Sequence, residues 1–236
     1  MEKQKLNEFI SRYNLSGLIN SVKWTSANNK LSTSFISDDK SVVGNVSLDN
    51  VTLGDYEFGV YDTNKLKSMV AVMGDDIDLN VVSIGDKPIT IKMKDESLSA
   101  EFVLSDISVI PKVPATKGLP NFDVTVKLTP SFIGRFIKAS SALSDESNFT
   151  FMCKGGKPQI VLGHSKINTN KISIDVEAEC DDVSPISFSA KFLREILVAN
   201  KDATNMELKI STHGLSHIKF IIGEFTSEYY LVESKQ

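Results

Sequence analysis

Apolar and polar residues alternate along most of the chain, and this period of two is the pattern of half-buried β-strands. The clearest alternating segments are residues 30–37, 77–81, 89–93, 172–176, 206–210 and 218–222. Turn-forming pairs separate such segments, including Asn28-Asn29, Gly85-Asp86, Gly155-Gly156 and His213-Gly214. The alternation therefore predicts a chain built mainly from short strands joined by tight turns.

Four windows have a different spacing, with apolar residues along one face of a helix of about three turns. The four apolar stripes are Leu6, Phe9, Ile10 and Tyr13; Leu66, Met69, Val70 and Met73; Phe132, Ile133, Phe136 and Ile137; and Phe192, Leu193, Ile196 and Leu197. Candidate N-cap residues precede the last three windows: Asp62 or Asn64, Thr129 followed by Pro130, and Ser189. These signals predict four short amphipathic helices among the strands.

The segment from Ile110 to Asn121 holds three prolines and one glycine, which predicts an extended connector. Residues 8–13 before it match residues 131–136 after it, 123 positions later. Both halves also run in the order helix, strands, helix, strands. The chain is therefore predicted to be an internal duplication, with an N-terminal domain of residues 1–109, a connector of 110–121 and a C-terminal domain of 122–236.

The composition is that of an ordinary globular protein, with 236 residues of which 41% are hydrophobic and 24% are charged. No apolar run approaches the roughly 18 residues that a membrane-spanning helix needs, and the first residues lack the apolar core of a signal peptide. The two cysteines, Cys153 and Cys180, cannot build a disulfide framework. We therefore expect small buried thiols in a reducing cytoplasm.

The formal net charge of −4 is unevenly distributed along the sequence. The four helical windows sum to +6, which leaves −10 for the rest of the chain. At about 100° per residue, the helix cations lie roughly 90° or more from the apolar stripes. One basic helix face is common on any protein, but four in an acidic chain favour a surface for phosphate groups without base recognition.

Local motifs for catalysis or metal binding are weak. His213 and His217 have a two-histidine spacing, but Gly214 and the strand pattern that follows favour a turn. The Gly155-Gly156-Lys157 segment lacks the other residues of a phosphate loop and is typical of a hairpin. No carboxylate pair or nucleophile–base set stands out, so no catalytic residue, metal site or cofactor is predicted.

Three stretches of the first half have a recognisable pattern: residues 9–17, 56–66 and 72–79. They resemble the DNA sliding clamps of T-even-type bacteriophages. In that family a Tyr-Asp turn, here Tyr61-Asp62, opens the second helix, and an Asp-Asp turn, here Asp75-Asp76, closes it. The order of elements is similar over the whole chain, whereas residue-by-residue similarity is confined to the first domain.

The resemblance implies an α+β fold of the PCNA-like, DNA-clamp type, in which two similar domains each carry antiparallel sheets and two short helices. Members of the family are homotrimeric rings with pseudo-sixfold symmetry, and their helices line a central hole for duplex DNA. The ring is a processivity factor that tethers the replicative DNA polymerase, is loaded by an ATP-driven clamp loader and catalyses nothing.

The partners implied are double-stranded DNA without sequence specificity, a DNA polymerase, a clamp loader and further copies of the chain, with no membrane partner. The expected location is the cytoplasm of an infected bacterium. The resemblance leaves open whether transcription factors also use the ring.

The resemblance also assigns residues. The cations expected to line the hole are Lys5, Arg12, Lys65, Lys67, Arg135, Lys138, Lys191, Arg194 and Lys201. Two exposed strands, about residues 98–109 and 171–179, are expected to close the ring head to tail through Phe102, Leu104, Ile107, Ile172, Ile174 and Val176. A hydrophobic partner peptide is expected beneath the connector, at Ile110, Pro111, Leu119, Phe122, Tyr230 and Val232. The alternatives are that both strands pair within one chain and that the pocket residues are ordinary core.

A second class of function also fits a duplicated, strand-rich chain: a two-domain β-sandwich structural protein of a phage virion. Such a protein has no reason to carry four basic helices, so the helix charge favours the clamp. An enzyme of unknown type is a third hypothesis, which requires a polar cluster in a pocket that one sequence cannot reveal.

Overall fold

The computed structural model describes residues 1–114, 118–165, 167, 169–204 and 206–234. They form two compact units. The first contains Met1–Asp38, Gly44–Pro114 and Gly223–Ser227, and the second contains Asp39–Val43 with the described parts of Ala115–Ile222 and Glu228–Gln236. Each unit includes a short segment from the other half of the sequence, whereas the predicted domains are continuous in sequence. The division into residues 1–109, 110–121 and 122–236 stays a prediction.

The described part of the first unit contains two helices and seven strands. The elements are α1 Lys3–Asn14, β1 Val22–Ala27, β2 Lys30–Ile36, β3 Val42–Asp49, β4 Tyr56–Val60, α2 Thr63–Ala71, β5 Asp78–Ile84, β6 Lys87–Lys94 and β7 Ser99–Val103, with 3-10 turns at Leu15–Gly17 and Ile107–Val109. The strands form two sheets with the orders β3-β2-β1-β4 and β5-β6-β7. The pairs β1–β2, β1–β4, β5–β6 and β6–β7 are antiparallel.

The described part of the second unit also contains two helices. The elements are β8 Val124–Leu128, α3 Pro130–Ala142, β9 Asn148–Lys154, β10 Lys157–Leu162, β11 Ile172–Asp175, β12 Glu177–Ala178, β13 Val183–Ser189, α4 Ala190–Ala199, β14 Met206–Ser211, β15 Leu215–Ile222 and β16 Phe225–Val232. The first three residues of β16 belong to the first unit. The strand orders are β11-β10-β9-β13 and β12-β8-β14-β15-β16.

The two units repeat one topology. The sheet β3-β2-β1-β4 corresponds to β11-β10-β9-β13, and the run β5-β6-β7 corresponds to β14-β15-β16. An isolated bridge between Glu2 and Asp76 stands where β8 pairs with β14 in the second unit. The predicted fold class is confirmed, because each unit combines antiparallel sheets with two short helices and the chain is a structural duplication.

Side-chain caps set the beginning of three helices. Asp62 accepts a hydrogen bond from the N–H group three residues further on at 2.9 Å, and Thr129 does the same at 3.1 Å. Ser189 caps α4 in the same way at 3.4 Å. Each bond satisfies one of the N–H groups that the first turn of a helix leaves open, so local sequence is enough to predict these starts.

Aromatic side chains form the centre of each unit. In the first, Trp24 lies edge to face with Phe9, at 5.3 Å between centroids, and 5.8 Å from Phe58. In the second, Phe136 meets Phe149 edge to face at 5.8 Å. The apolar stripes of α1 and α3 supply Phe9 and Phe136, so burial of these rings holds each helix on its sheet.

Cys153 and Cys180 are bonded as a disulfide, and their Cα atoms are 6.7 Å apart. This differs from the two separate thiols that the sequence predicts. The physical reason is a long-range strand pairing, because β13 lies beside β9 with Val183 opposite Cys153. The segment that leads into β13 therefore brings Cys180 to Cys153.

Gly44 and Gly134 offer a matched test of the packing. A Cβ atom at Gly44 would overlap the buried Phe35 ring, whereas at Gly134, on the exposed face of α3, it would meet nothing within 4 Å. We expect Gly44→Ala to lower the free energy of unfolding by about 1–3 kcal/mol because the Phe35 ring has to move. We expect Gly134→Ala to raise it by about 0.5–1 kcal/mol through helix propensity. Urea unfolding measures both changes, and equal destabilisation in the two variants would contradict the packing argument.

Candidate nucleic-acid and subunit interfaces

The nine cations predicted to line a DNA channel have three kinds of surroundings. Six are exposed or half-exposed and have no ion pair within 4.0 Å among the described residues: Lys65, Lys67, Arg135, Lys138, Lys191 and Lys201. Two have a carboxylate neighbour, namely Lys5 and Arg194. One, Arg12, is buried. Helices α2, α3 and α4, with the residues just after α4, therefore carry the unpaired positive charge.

Carboxylates offset part of the charge of Lys5 and Arg194. The Lys5 ammonium lies 2.8 Å from the Glu224 carboxylate and 3.6 Å from that of Glu2. The hydrogen bond to Glu224 raises the pKa of Lys5, and the same bond lowers the pKa of Glu224. Arg194 contacts the buried carboxylate of Glu195. Because a neighbouring carboxylate partly neutralises each of them, Lys5 and Arg194 attract a phosphate less strongly than the six unpaired cations do.

Arg12 does not lie on the outer face of α1, because its side chain is only 3% exposed. Its guanidinium lies over the Phe225 ring, with Cζ 4.0 Å from the centroid, and donates a hydrogen bond to Glu8 at 3.2 Å. The expectation that Arg12 lines a DNA channel is therefore wrong. The helical periodicity places Arg12 away from the apolar stripe, but the beginning of β16 covers that side of the helix.

The two strands predicted to close a ring, β7 and β11, each lie at the end of a sheet. Within its own unit β7 pairs with β6, and β11 pairs with β10. Neither has a second strand partner among the described residues, so the outer row of N–H and C=O groups on each is open to another strand. The backbone of both strands is therefore available for pairing between copies.

The side chains predicted for this contact only partly face outward. Three of the six are at most 9% exposed and pack within their own units: Phe102, Leu104 and Ile174. These three side chains are therefore not accessible to a second copy, because the apolar stripe of a half-buried strand marks its inner face, and a contact between copies through their backbone stays a prediction. The other three are at least partly exposed: Ile107, Ile172 and Val176. The sequence reasoning missed Val103, which is 74% exposed on β7.

The residues predicted for a partner peptide also differ in exposure. In the first unit, Ile110 is 7% exposed and packs on Gly59 of β4, so it belongs to the core and not to a pocket. Pro111 is exposed. In the second unit, Leu119 and Val232 are 41% and 42% exposed. Three of these four predicted side chains are therefore accessible.

Phe122 and Tyr230, the other two predicted pocket residues, join an aromatic cluster around one carboxylate of the second unit. The His217 ring stacks on Tyr230 at 4.7 Å between centroids, and Phe122 lies 5.6 Å from His217. Glu228 accepts a hydrogen bond from the Tyr230 hydroxyl at 3.1 Å and lies 2.8 Å from Nε2 of His217. Burial, reinforced by Glu228, raises the pKa of Tyr230 to about 12, so the phenol keeps its proton at neutral pH.

The sequence reasoning missed His217 and Glu228 as members of this cluster. It considered His217 only with His213, as two possible metal ligands. Among the described residues, no group of three or more His, Cys, Asp or Glu side chains could hold a metal ion. In the same part of the chain, none of the helices has the length and apolar character needed to cross a membrane.

Two solved structures with a similar fold are PCNA proteins. The chain is similar to a chain of the PCNA2–PCNA3 complex of Sulfolobus tokodaii, with a TM-score of 0.73 and 11% identity over 99% of this chain and 97% of that chain. It is also similar to the proliferating cellular nuclear antigen of Entamoeba histolytica, with a TM-score of 0.74 and 16% identity over 100% of this chain and 97% of that chain. No protein-family model matches the chain, and neither does any curated protein sequence. The chain therefore has the PCNA fold over its whole length.

The buried position of Arg12 predicts an effect on folding. We expect Arg12→Ala to lower the free energy of unfolding by about 1–3 kcal/mol, because it removes the cation–π contact and the packing of the buried Arg12 side chain on Phe225. The matched control is Lys138→Ala on α3, which is exposed and should change stability by less than about 0.5 kcal/mol. Thermal and urea unfolding measure both; an Arg12→Ala protein as stable as the unchanged chain would show that the buried contact contributes nothing.

Proposed function

We propose that the protein is a sliding clamp: a closed ring of three copies that encircles duplex DNA and tethers a DNA polymerase during phage replication. The observation that carries the proposal is the set of six unpaired cations on or next to the helices of a duplicated PCNA-like fold. The chain as a whole is acidic, with a formal net charge of −4, so positive charge on these elements is not a by-product of composition.

The chemistry of the helix faces suits sliding. Lys and Arg attract phosphate oxygens through charge, and this attraction carries no sequence information. The six cations are spread over separate helices and form no ion pairs among the described residues, so each contact to DNA is weak and easily exchanged. Such a ring holds DNA by enclosing it and not by affinity, and needs no catalytic group.

An internal precedent supports closure by strand pairing. In the first unit, the beginning of β16 lies beside β3, and the Asp49 N–H donates to the Glu224 carbonyl at 3.0 Å. The topological counterparts of these two strands are β7 and β11, which are both open edges. Pairing β7 of one copy with β11 of the next repeats the contact head to tail, and such an interface closes into a ring when the rotation between copies allows it. With two units in each chain, three copies make a ring of six.

The partners follow from the same proposal. A clamp loader opens and closes the ring around DNA, and the polymerase binds through a short hydrophobic peptide. We assign that peptide to the second unit, where Leu119 and Val232 are exposed and the Phe122 and Tyr230 rings flank His217. Transcription factors that carry a similar peptide could use the same surface.

Topology gives the sharpest test of the clamp. After loading, the protein should remain on a nicked circular duplex and slide off the same duplex once it is linearised, because only a closed circle retains a ring. Gel filtration measures retention on the two substrates, and light scattering measures the mass of the free protein. Equal retention on circle and line would contradict enclosure. A monomer at every concentration would favour the virion-protein alternative.

The charge proposal predicts a change in salt dependence. Replacing Lys65, Lys138 and Lys191 together by Gln should flatten the plot of log affinity for duplex DNA against log salt, by about 0.9 for each phosphate that the protein no longer neutralises. A matched control removes three exposed strand lysines: Lys154, Lys157 and Lys219. Fluorescence anisotropy at several salt concentrations compares the two variants, and an equal decrease of slope in both would remove the helices from the DNA-binding surface.

A further inference from the structure

Arg12 is buried beneath an aromatic side chain in the first unit, whereas the equivalent arginine of the second unit, Arg135, is exposed. The guanidinium of Arg12 is sandwiched between α1 and the Phe225 ring at the beginning of β16. The residue 123 positions later is Arg135, which holds the same place in the matched segment of α3. Arg135 is exposed and has no ion pair among the described residues. The duplication therefore preserves the arginine while its cover is missing.

The missing cover can be identified from the strand that corresponds to β16. That strand is β7, and Glu101-Phe102 on β7 match Glu228-Tyr229 on β16. The same register places Leu98 at the position of Phe225. Phe225 is 7% exposed beneath Arg12, whereas Leu98 is 38% exposed.

The rest of the strand supports this register. Phe102 and Tyr229 are both buried, as are Leu104 and its counterpart Leu231. The two strands differ where β16 is covered by α1, because Ser227 is buried and its counterpart Ala100 is only half-buried. The beginning of β7 thus has the inward pattern of β16 but is more exposed than the beginning of β16.

We propose that Arg135 is a subunit-contact residue whose guanidinium lies over Leu98 of the next copy, as Arg12 lies over Phe225 within one chain. This inference rests on the proposed ring of copies and removes Arg135 from the DNA-lining set. A guanidinium is planar and weakly hydrated, so it packs well on an apolar side chain.

The distribution of charge also favours a second copy of the chain as the partner of Arg135. Arg12 has Glu8 on its own helix, but the corresponding residue on α3 is Ser131, so the helix offers Arg135 no carboxylate. The turn before Leu98 carries Asp95 and Glu96. Asp95 is occupied by backbone N–H groups, which lower its pKa, while Glu96 is exposed and available to a cation. A second copy therefore brings both the apolar cover and the negative charge that Arg135 lacks.

The decisive variant replaces Leu98 by an aromatic residue. Leu98→Phe recreates the pair of the first unit between copies, and should tighten self-association about threefold to fivefold through the added cation–π contact. Arg135→Ala should weaken self-association about tenfold, and in the Arg135→Ala background Leu98→Phe should gain little. Lys138→Ala, on the same helix, is the matched control and should weaken DNA affinity without changing assembly. Sedimentation equilibrium of the full chain measures assembly, and anisotropy measures duplex binding.

The outcomes separate this inference from the proposed function. If the copies assemble but Arg135→Ala assembles normally and loses DNA affinity as Lys138→Ala does, the subunit-contact assignment is overturned and the clamp stands. A gain from Leu98→Phe that is the same with and without Arg135 also overturns it. If the unchanged protein does not self-associate at any concentration, the ring and the contact fail together.

Discussion

Backbone pairing at sheet edges is the constraint on which the rest of the structure depends. An edge strand leaves one row of N–H and C=O groups open, and proteins cover such rows or use them. In the first unit, the beginning of β16 covers β3, with a bond from Asp49 N–H to the Glu224 carbonyl. The counterpart of β3, strand β11, has no such cover among the described residues. One topology is thus complete in one unit and open in the other, which gives the chain a place for a second copy.

The same strand decides which cations are available. By lying beside α1, the beginning of β16 places Phe225 over Arg12 and Glu224 beside Lys5. Two cations of α1 are therefore used within the fold. The unpaired cations lie on or after α2, α3 and α4, so the positive surface follows from strand pairing as much as from helix sequence. A charge count over helical windows cannot separate these roles, because it treats Arg12 and Arg135 alike.

Features set by near neighbours in the sequence were predictable. The caps at Thr129 and Ser189 need only a side chain and an N–H group three residues on, and the helix stripes need only periodicity. Features set by distant strands were not. Burial of Arg12 depends on Phe225 at the other end of the chain, and the bond between Cys153 and Cys180 depends on the pairing of β13 with β9. The resemblance named two strands that are sheet edges in the structure, but side chains such as Phe102 that it named for the contact face inward, because the apolar stripe of a strand marks its buried face.

In the proposed ring, Phe225 and Leu98 hold equivalent positions, but Phe225 makes its contact within one chain and Leu98 makes its contact between two copies. The Phe225 contact forms inside one chain, whereas a contact between copies also has to offset lost translational and rotational freedom. An interface selected only for strength would have an aromatic side chain at the proposed junction between copies. The phenylalanine is instead in the first unit, and the residue proposed for the junction is leucine. Leucine offers a guanidinium apolar surface but no π-face, so its contact with the guanidinium is weaker than that of phenylalanine. A ring that has to open to admit DNA needs a junction that separates reversibly, and a clamp that slides needs phosphate contacts that exchange quickly. Both requirements are met by many weak contacts, and neither is met by a few strong ones.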